Sequence, residues 1–292
     1  MVVHDAVRVI ALTGGKGGVG KTITAINLSV ELSTMGRRVV LMDGGLGLAN
    51  IDALLGLKPQ YTLQDVIESR CEIRDTFIDG PAGVLIVPAA SGVQGMVCLS
   101  AAQLGGLIYA YDELAKDIDI LVVDTASGIG HSVVNLVAAS SDILIVVCDE
   151  PASLVDAYSL IKLLHRQHGA RRFKVLVNMT KSQFEGPQTF AKLNNVSLEF
   201  LGIALIYVGA LPYDEHVKKA MLKRASVAAA YPKSKYSLAL KHIARTLDRG
   251  PLNTADRGGV SFFLPRSFRR AHSEAQHEQA ISEVPNTAWQ GI

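Results

Sequence analysis

"VRVIALTGGKGGVGKTITAINLSVEL", residues 7–32, runs from a β-branched apolar stretch through a glycine-rich turn into a helical pattern. Inside it, Gly15–Thr22 reads G-K-G-G-V-G-K-T, the phosphate-binding spacing G-x-x-x-x-G-K-[ST] in the strand–turn–helix context that the motif needs. Glycines let backbone N–H groups turn inward around phosphate oxygens, and the following helix N-terminus adds the positive end of its dipole. Gly15, Lys16, Gly17, Gly18, Val19 and Gly20 are therefore expected to form a phosphate cradle, with Ile23 entering the helix behind it. Lys21 is expected to reach the β- and γ-phosphates, and the Thr22 hydroxyl to ligate Mg²⁺.

The strand that opens this stretch has companions. Apolar runs at 38–43, 83–89, 118–124, 142–148, 173–178 and 203–209 alternate with helical patterns at 62–69, 101–116, 131–140, 152–168, 185–194, 214–229 and 234–248. Most runs are continuously apolar, which marks strands covered on both faces. The expected fold is α/β, a doubly wound, mostly parallel sheet of seven to eight strands in a P-loop domain over 1–248. Ligands of such sheets sit beyond the carboxyl ends of the strands. Asp124 ends "IDILVVD" and Asp43 ends "RVVLMD", so each could put a carboxylate there; Asp124 is the candidate for a second Mg²⁺-side ligand, held through a water. Either could instead cap a helix or turn.

Hydrophobic residues make up 49% and charged residues 19%, enough apolar surface for a large core. A formal charge of +2 points away from direct DNA binding by the chain as a whole. Cys71, Cys98 and Cys148 have no paired spacing and read as reduced, buried thiols of a cytoplasmic protein. No signal-peptide pattern opens the chain, and "LGIALIYVGALP" (201–212) is too short to span a bilayer, so it reads as a buried strand. Residues 249–292 read as a linker and a mostly disordered tail, with a short amphipathic candidate at 260–270.

The lysine directly after the first glycine of the loop makes it resemble the deviant Walker A motif of the MinD/ParA ATPases. That resemblance implies ATP and Mg²⁺ as ligands and an ATP-dependent homodimer in which Lys16 reaches the partner's phosphates. Lys16, Lys21, Asp43 and Asp124 are then the catalytic set. Asn178 resembles the family's adenine-reading Asn, and Pro212, Tyr213 and Asp214 the loop that closes over the base. Further stretches, "LGLANIDALLGLKPQYTLQDVIESRCEIRD", "IVPAASG", "VCDEPASLVDAYSLIKLL", "FAKL" and "YVGALPYDEHVKKA", resemble the flagellar-number regulators of the FlhG/FleN group over about residues 6–265.

This group implies a transcription activator of FleQ type and the SRP-type GTPase FlhF as partners, and a cytoplasmic location with contacts at the cell pole or inner membrane face. The helix at 151–168 is then the expected activator-binding face. With only about a dozen residues ahead of the loop, the glutamine-containing segment with which some of these proteins stimulate their GTPase is not expected here. Where the family pattern reads D-x-D-L-G-L-A-N, this chain reads "DGGLGLAN", with Gly45 replacing the Asp that orients the attacking water. ATP hydrolysis is expected to be slow. A DNA-partitioning ATPase, using Lys218, Lys219, Lys223 and Arg224 as a basic helix face, is one alternative. A membrane-cycling ATPase, using Phe262, Phe263, Leu264 and Phe268 beside Arg266, Arg269 and Arg270, is the other. His165 and His168 lack a third ligand and read as surface residues.

Overall fold

The computed structural model describes residues 7–46, 50–90, 99–252 and 261–263. Its centre is a sheet of eight strands in the order β3-β4-β2-β5-β1-β6-β7-β8. The strands are β1 Arg8–Thr13, β2 Val39–Gly44, β3 Ile78–Asp79, β4 Leu85–Val87, β5 Ile120–Thr125, β6 Asp142–Val147, β7 Lys174–Thr180 and β8 Ile206–Pro212. All neighbours pair in parallel except β3, which runs antiparallel to β4 at the edge. At two residues, β3 is too short to leave a periodic signal in the sequence.

Alternation across the pleat divides the core. Val9 and Ala11 face one layer with Val40, Met42, Leu121 and Val123, whereas Ile10 and Leu12 face the other with Leu41, Ile120 and Val122. Helix α1 (Lys21–Thr34) covers the second face. With it lie α8 (Glu215–Leu222), α9 (Val227–Ala230) and α10 (Lys235–Arg249). The first face is covered by α4 (Ala101–Ala110), α5 (His131–Ala138), α6 (Pro151–His168) and α7 (Glu185–Leu201). Two short helices, α2 (Ile51–Leu55) and α3 (Leu63–Ile67), lie between β2 and β3.

The helix expected at 214–229 is two helices. Arg224 has a left-handed backbone (φ 53°) that ends the first. Ser226 caps the second, held by Asn27 of α1, whose Oδ1 accepts from Ser226 Oγ (2.8 Å) and the Ala228 N–H (3.0 Å). The basic face read from "HVKKAMLKRAS" is thus divided, and Lys223 lies over the Tyr231 ring at 5.4 Å. Helix α7 runs on to Leu201 because Ser197 is buried and donates to the Ile203 carbonyl (2.9 Å), a polar residue in an apolar position.

At the start of the expected linker, α10 ends at Arg249, and Arg8 donates to the Gly250 carbonyl. Phe262 is then 5% exposed. It packs edge-on to Tyr111 (5.6 Å between ring centroids), and its N–H donates to the Ala139 carbonyl (3.1 Å). It cannot serve as a free membrane-facing residue in this arrangement, and Phe263 packs against the same core. Leu264–Arg270 and the rest of the tail lie outside the described residues, as does Cys98. Cys148 is buried and Cys71 only partly so. Among the described residues, no helix is long and apolar enough to cross a membrane, and no cluster of three or more metal-binding side chains occurs.

Candidate nucleotide site

A cavity of about 700 Å³ opens at the carboxyl ends of the strands. The loop after β1, which lies between β5 and β6, contributes Gly18, Gly20 and Lys21 to its lining. Close approach dictates the glycines here. A Cβ on Gly15 would lie 2.4 Å from Asp156 of α6, and one on Gly20 (φ 87°) would lie 2.3 Å from Asn178. Gly17 and Gly18 are exposed, while Val19 is buried as the loop's apolar anchor.

Lys21, at the first position of α1, is buried and donates to Ser127 Oγ (2.5 Å) and the Lys16 carbonyl (3.4 Å). Burial lowers its pKa, and the neighbouring Asp124 partly offsets this. Lys16 leaves the cradle: its ammonium pairs with Glu150, just ahead of α6, which raises the lysine's pKa.

Parallel pairing sets Asp43 directly beside Asp124 at the ends of β2 and β5. Burial pushes the Asp124 carboxyl up to about 7; the Thr22 hydroxyl draws it down, Asp43 adds to the rise, and Lys21 opposes it. Asp124 Oδ1 is buried with no hydrogen-bond partner. An orphaned carboxylate oxygen beside a threonine hydroxyl and a lysine suits a divalent cation, which supplies the missing partner and charge.

Asp43 is differently employed. Its Oδ1 accepts from the Gly45 N–H (2.9 Å), and its Oδ2 accepts from those of Asn50 (3.0 Å) and Ile51 (3.2 Å). The side chain therefore ties the start of α2 to the end of β2, the capping use of such an aspartate. Burial raises its pKa against those three donors.

Asn178 ends up at the cradle, with both ends of its amide engaged. Nδ2 donates to the Val19 carbonyl (2.9 Å) and Oδ1 accepts from the Met179 N–H (2.9 Å). Pro212, Tyr213 and Asp214 line the far end of the cavity. Tyr213 is 66% exposed at the rim. Asp214 is the N-cap of α8, accepting from the His216 N–H (2.9 Å), and it also accepts from the Tyr236 N–H (3.2 Å). Ser127 and Glu150 escaped the sequence reading: neither was given a role there, and only chain crossings bring them to the lysines.

The comparisons with known proteins agree with this geometry. Residues 10–227 match the profile of the CobQ/CobB/MinD/ParA nucleotide-binding domain. The chain is 56% identical over 260 residues to the antiactivator FleN of Pseudomonas aeruginosa, covering 89% of this chain and 93% of that one. It is 27% identical over 261 residues to the flagellum site-determining protein YlxH of Helicobacter pylori, covering 88% of each. Among solved structures, a chain of the MinC:MinD cell division protein complex of Aquifex aeolicus superposes with a TM-score of 0.70 at 25% identity, over 85% of this chain and 98% of that one. MinD of Pyrococcus horikoshii, complexed with Mg-ADP, shares the fold (TM-score 0.69, 24% identity, 83% and 96% covered). A profile match over most of the chain, on a cavity with this cradle, shows that the protein belongs to the CobQ/CobB/MinD/ParA nucleotide-binding family.

Proposed function

We propose that this protein is an ATP-dependent dimerising switch that regulates flagellar number and placement by antagonising a flagellar transcription activator. The observation that carries the nucleotide reading is the cradle itself: Gly18, Gly20, Lys21 and Thr22 line a cavity that Asp124, with its unpartnered oxygen, also lines. Thr22 and Asp124 would hold Mg²⁺, Asp124 through a water, and the ion would supply positive charge beside the terminal phosphates. Lys21 holds phosphate in cis, and Asp43 shapes the loop on the γ-phosphate side. Tyr213 and Pro212 bound the base, and Asn178 positions the cradle through Val19. Lys16 acts across a dimer interface, a second cation supplied in trans as an arginine finger would be.

In hydrolysis, water attacks the γ-phosphorus, the bond to the β-phosphate oxygen breaks, and ADP leaves. Gly45 has no side chain to orient that water, so the bound state outlasts that of a chain with a carboxylate there. The flagellar reading rests on the likeness to FleN, named an antiactivator, and to YlxH, named flagellum site-determining. A FleQ-type activator and an FlhF-type GTPase are the partners that it implies. The deciding experiment is size-exclusion chromatography with light scattering in ADP and in a non-hydrolysable ATP analogue. A dimer only with the triphosphate is expected; the same mass in both would remove the switch.

A further inference from the structure

One hydroxyl of the nucleotide cavity has no task in the roles assigned so far. Ser127 follows Asp124 by three residues and lines the cavity with it, together with Gly20, Lys21 and Thr22. The segment that carries Ser127 is tied, on both sides of it, to the strand and turn that lead into the phosphate loop. Thr125 Oγ1 donates to the Leu12 carbonyl (2.9 Å), and the Gly128 N–H donates to the Gly14 carbonyl (3.2 Å). These ties set the hydroxyl beside the loop: a Cβ on Gly17 would lie 3.8 Å from Ser127 Oγ.

Ser127 Oγ accepts from the buried Lys21 ammonium (2.5 Å). Its own hydrogen has no acceptor among the described residues. Ser127 is exposed, so the core does not need it. A hydroxyl that accepts from a cation is polarised and becomes a better donor. Held in place before a ligand arrives, such a donor costs no reorganisation when it is used. Its fitting partner is an anionic oxygen, to which the lysine brings charge and the hydroxyl a directed hydrogen.

We propose that Ser127 is a further phosphate-binding residue, donating its hydrogen to the terminal phosphate of a nucleoside triphosphate while it accepts from Lys21. This inference rests on the nucleotide reading above. There the phosphate loop surrounds the inner phosphates, and the wall after β5 carries Asp124 beside the terminal ones. Ser127 belongs to that wall, so its hydrogen goes to the outermost phosphate. The hydroxyl thereby tells a triphosphate from a diphosphate.

The test titrates dilute, monomeric full-length protein with fluorescent mant-ADP and with a mant-labelled non-hydrolysable triphosphate, both with Mg²⁺. Ser127→Ala should weaken the triphosphate about tenfold, the usual worth of a hydrogen bond to a charged group, and change ADP affinity less than about twofold. Ser127→Thr keeps a hydroxyl and should keep most of the triphosphate affinity. Equal weakening of both nucleotides in Ser127→Ala, with or without a lower melting temperature, would mean that the residue only props Lys21, and overturns the terminal-phosphate contact. Unchanged affinity for both overturns it as well. Failure of the wild type to bind either nucleotide would sink the cavity reading itself, a result distinct from the failure of Ser127 in a protein that binds.

Discussion

Lys16 is ion-paired with Glu150 of its own chain, while Lys21, five residues on, points into the cradle at Ser127. Two lysines of one loop thus face different tasks, and substitutions should separate them. Lys21→Ala is expected to abolish binding of ADP and ATP analogues. Lys16→Ala should keep ADP affinity and lose the triphosphate-dependent dimer, read by light scattering. A Lys16→Ala protein that still dimerises with the triphosphate would falsify the trans role.

Asp124 makes the nucleotide-free protein sensitive to pH. Its folded pKa, about 7, lies above the unfolded value of 3.8, so the folded chain keeps a proton that the unfolded chain loses. Stability therefore falls as pH climbs from about 4 to about 7 and then levels, by on the order of 4 kcal/mol at most. Asp43, also raised by burial, adds in the same direction. Asp124→Asn should flatten the curve, raise the melting temperature at pH 8 but not at pH 4, and weaken Mg²⁺-dependent nucleotide binding. Thermal melts across pH in the presence of a chelator check this; a wild-type curve that rises with pH would exclude it.

Gly45 lines the cavity, and its N–H is bonded to Asp43. Gly45→Asp should therefore add a water-orienting carboxylate where the loop is already shaped. Single-turnover phosphate release should accelerate about 10²–10⁴-fold, the usual worth of a positioned base. If the rate does not change, the missing carboxylate is not what limits turnover.

On α6, Ser153, Ala157, Leu160, Ile161 and Leu164 are buried, while Val155, Lys162 and Arg166 are exposed. The exposed stripe follows the segment that holds Lys16, through Glu150, so it can report the dimer state. Reversing charge at Lys162 and Arg166 should weaken binding to the transcription activator several-fold and leave the fold intact. Affinity is read by titration calorimetry with the purified activator, and an unchanged value moves the partner surface elsewhere.

Phe262 closes the first core layer against Tyr111. Phe262→Ala should cost about 3 kcal/mol by leaving a cavity, seen as a lower urea midpoint at constant slope. A midpoint equal to the wild type would mean that the segment does not dock in solution.

Residues 7–32 alone determined the phosphate loop, because its glycines, Lys21 and Thr22 act through backbone geometry encoded at short range. The apolar runs likewise determined seven of the strands, since burial on both faces leaves an unbroken local signature. Asp43, Asp124 and Asn178 were legible as strand-end residues, but their partners were not. Those partners are backbone N–H groups, a carbonyl and a hydroxyl reached across the sheet, which no local pattern records. Tertiary structure decided that Asp43 caps the start of α2 while the Asp124 oxygen stays unpartnered, that Asn178 grips Val19, and that Asp214 caps α8. It also turned Phe262 inward, because a core with room for an aromatic ring outbids any membrane-facing pattern in the sequence around it.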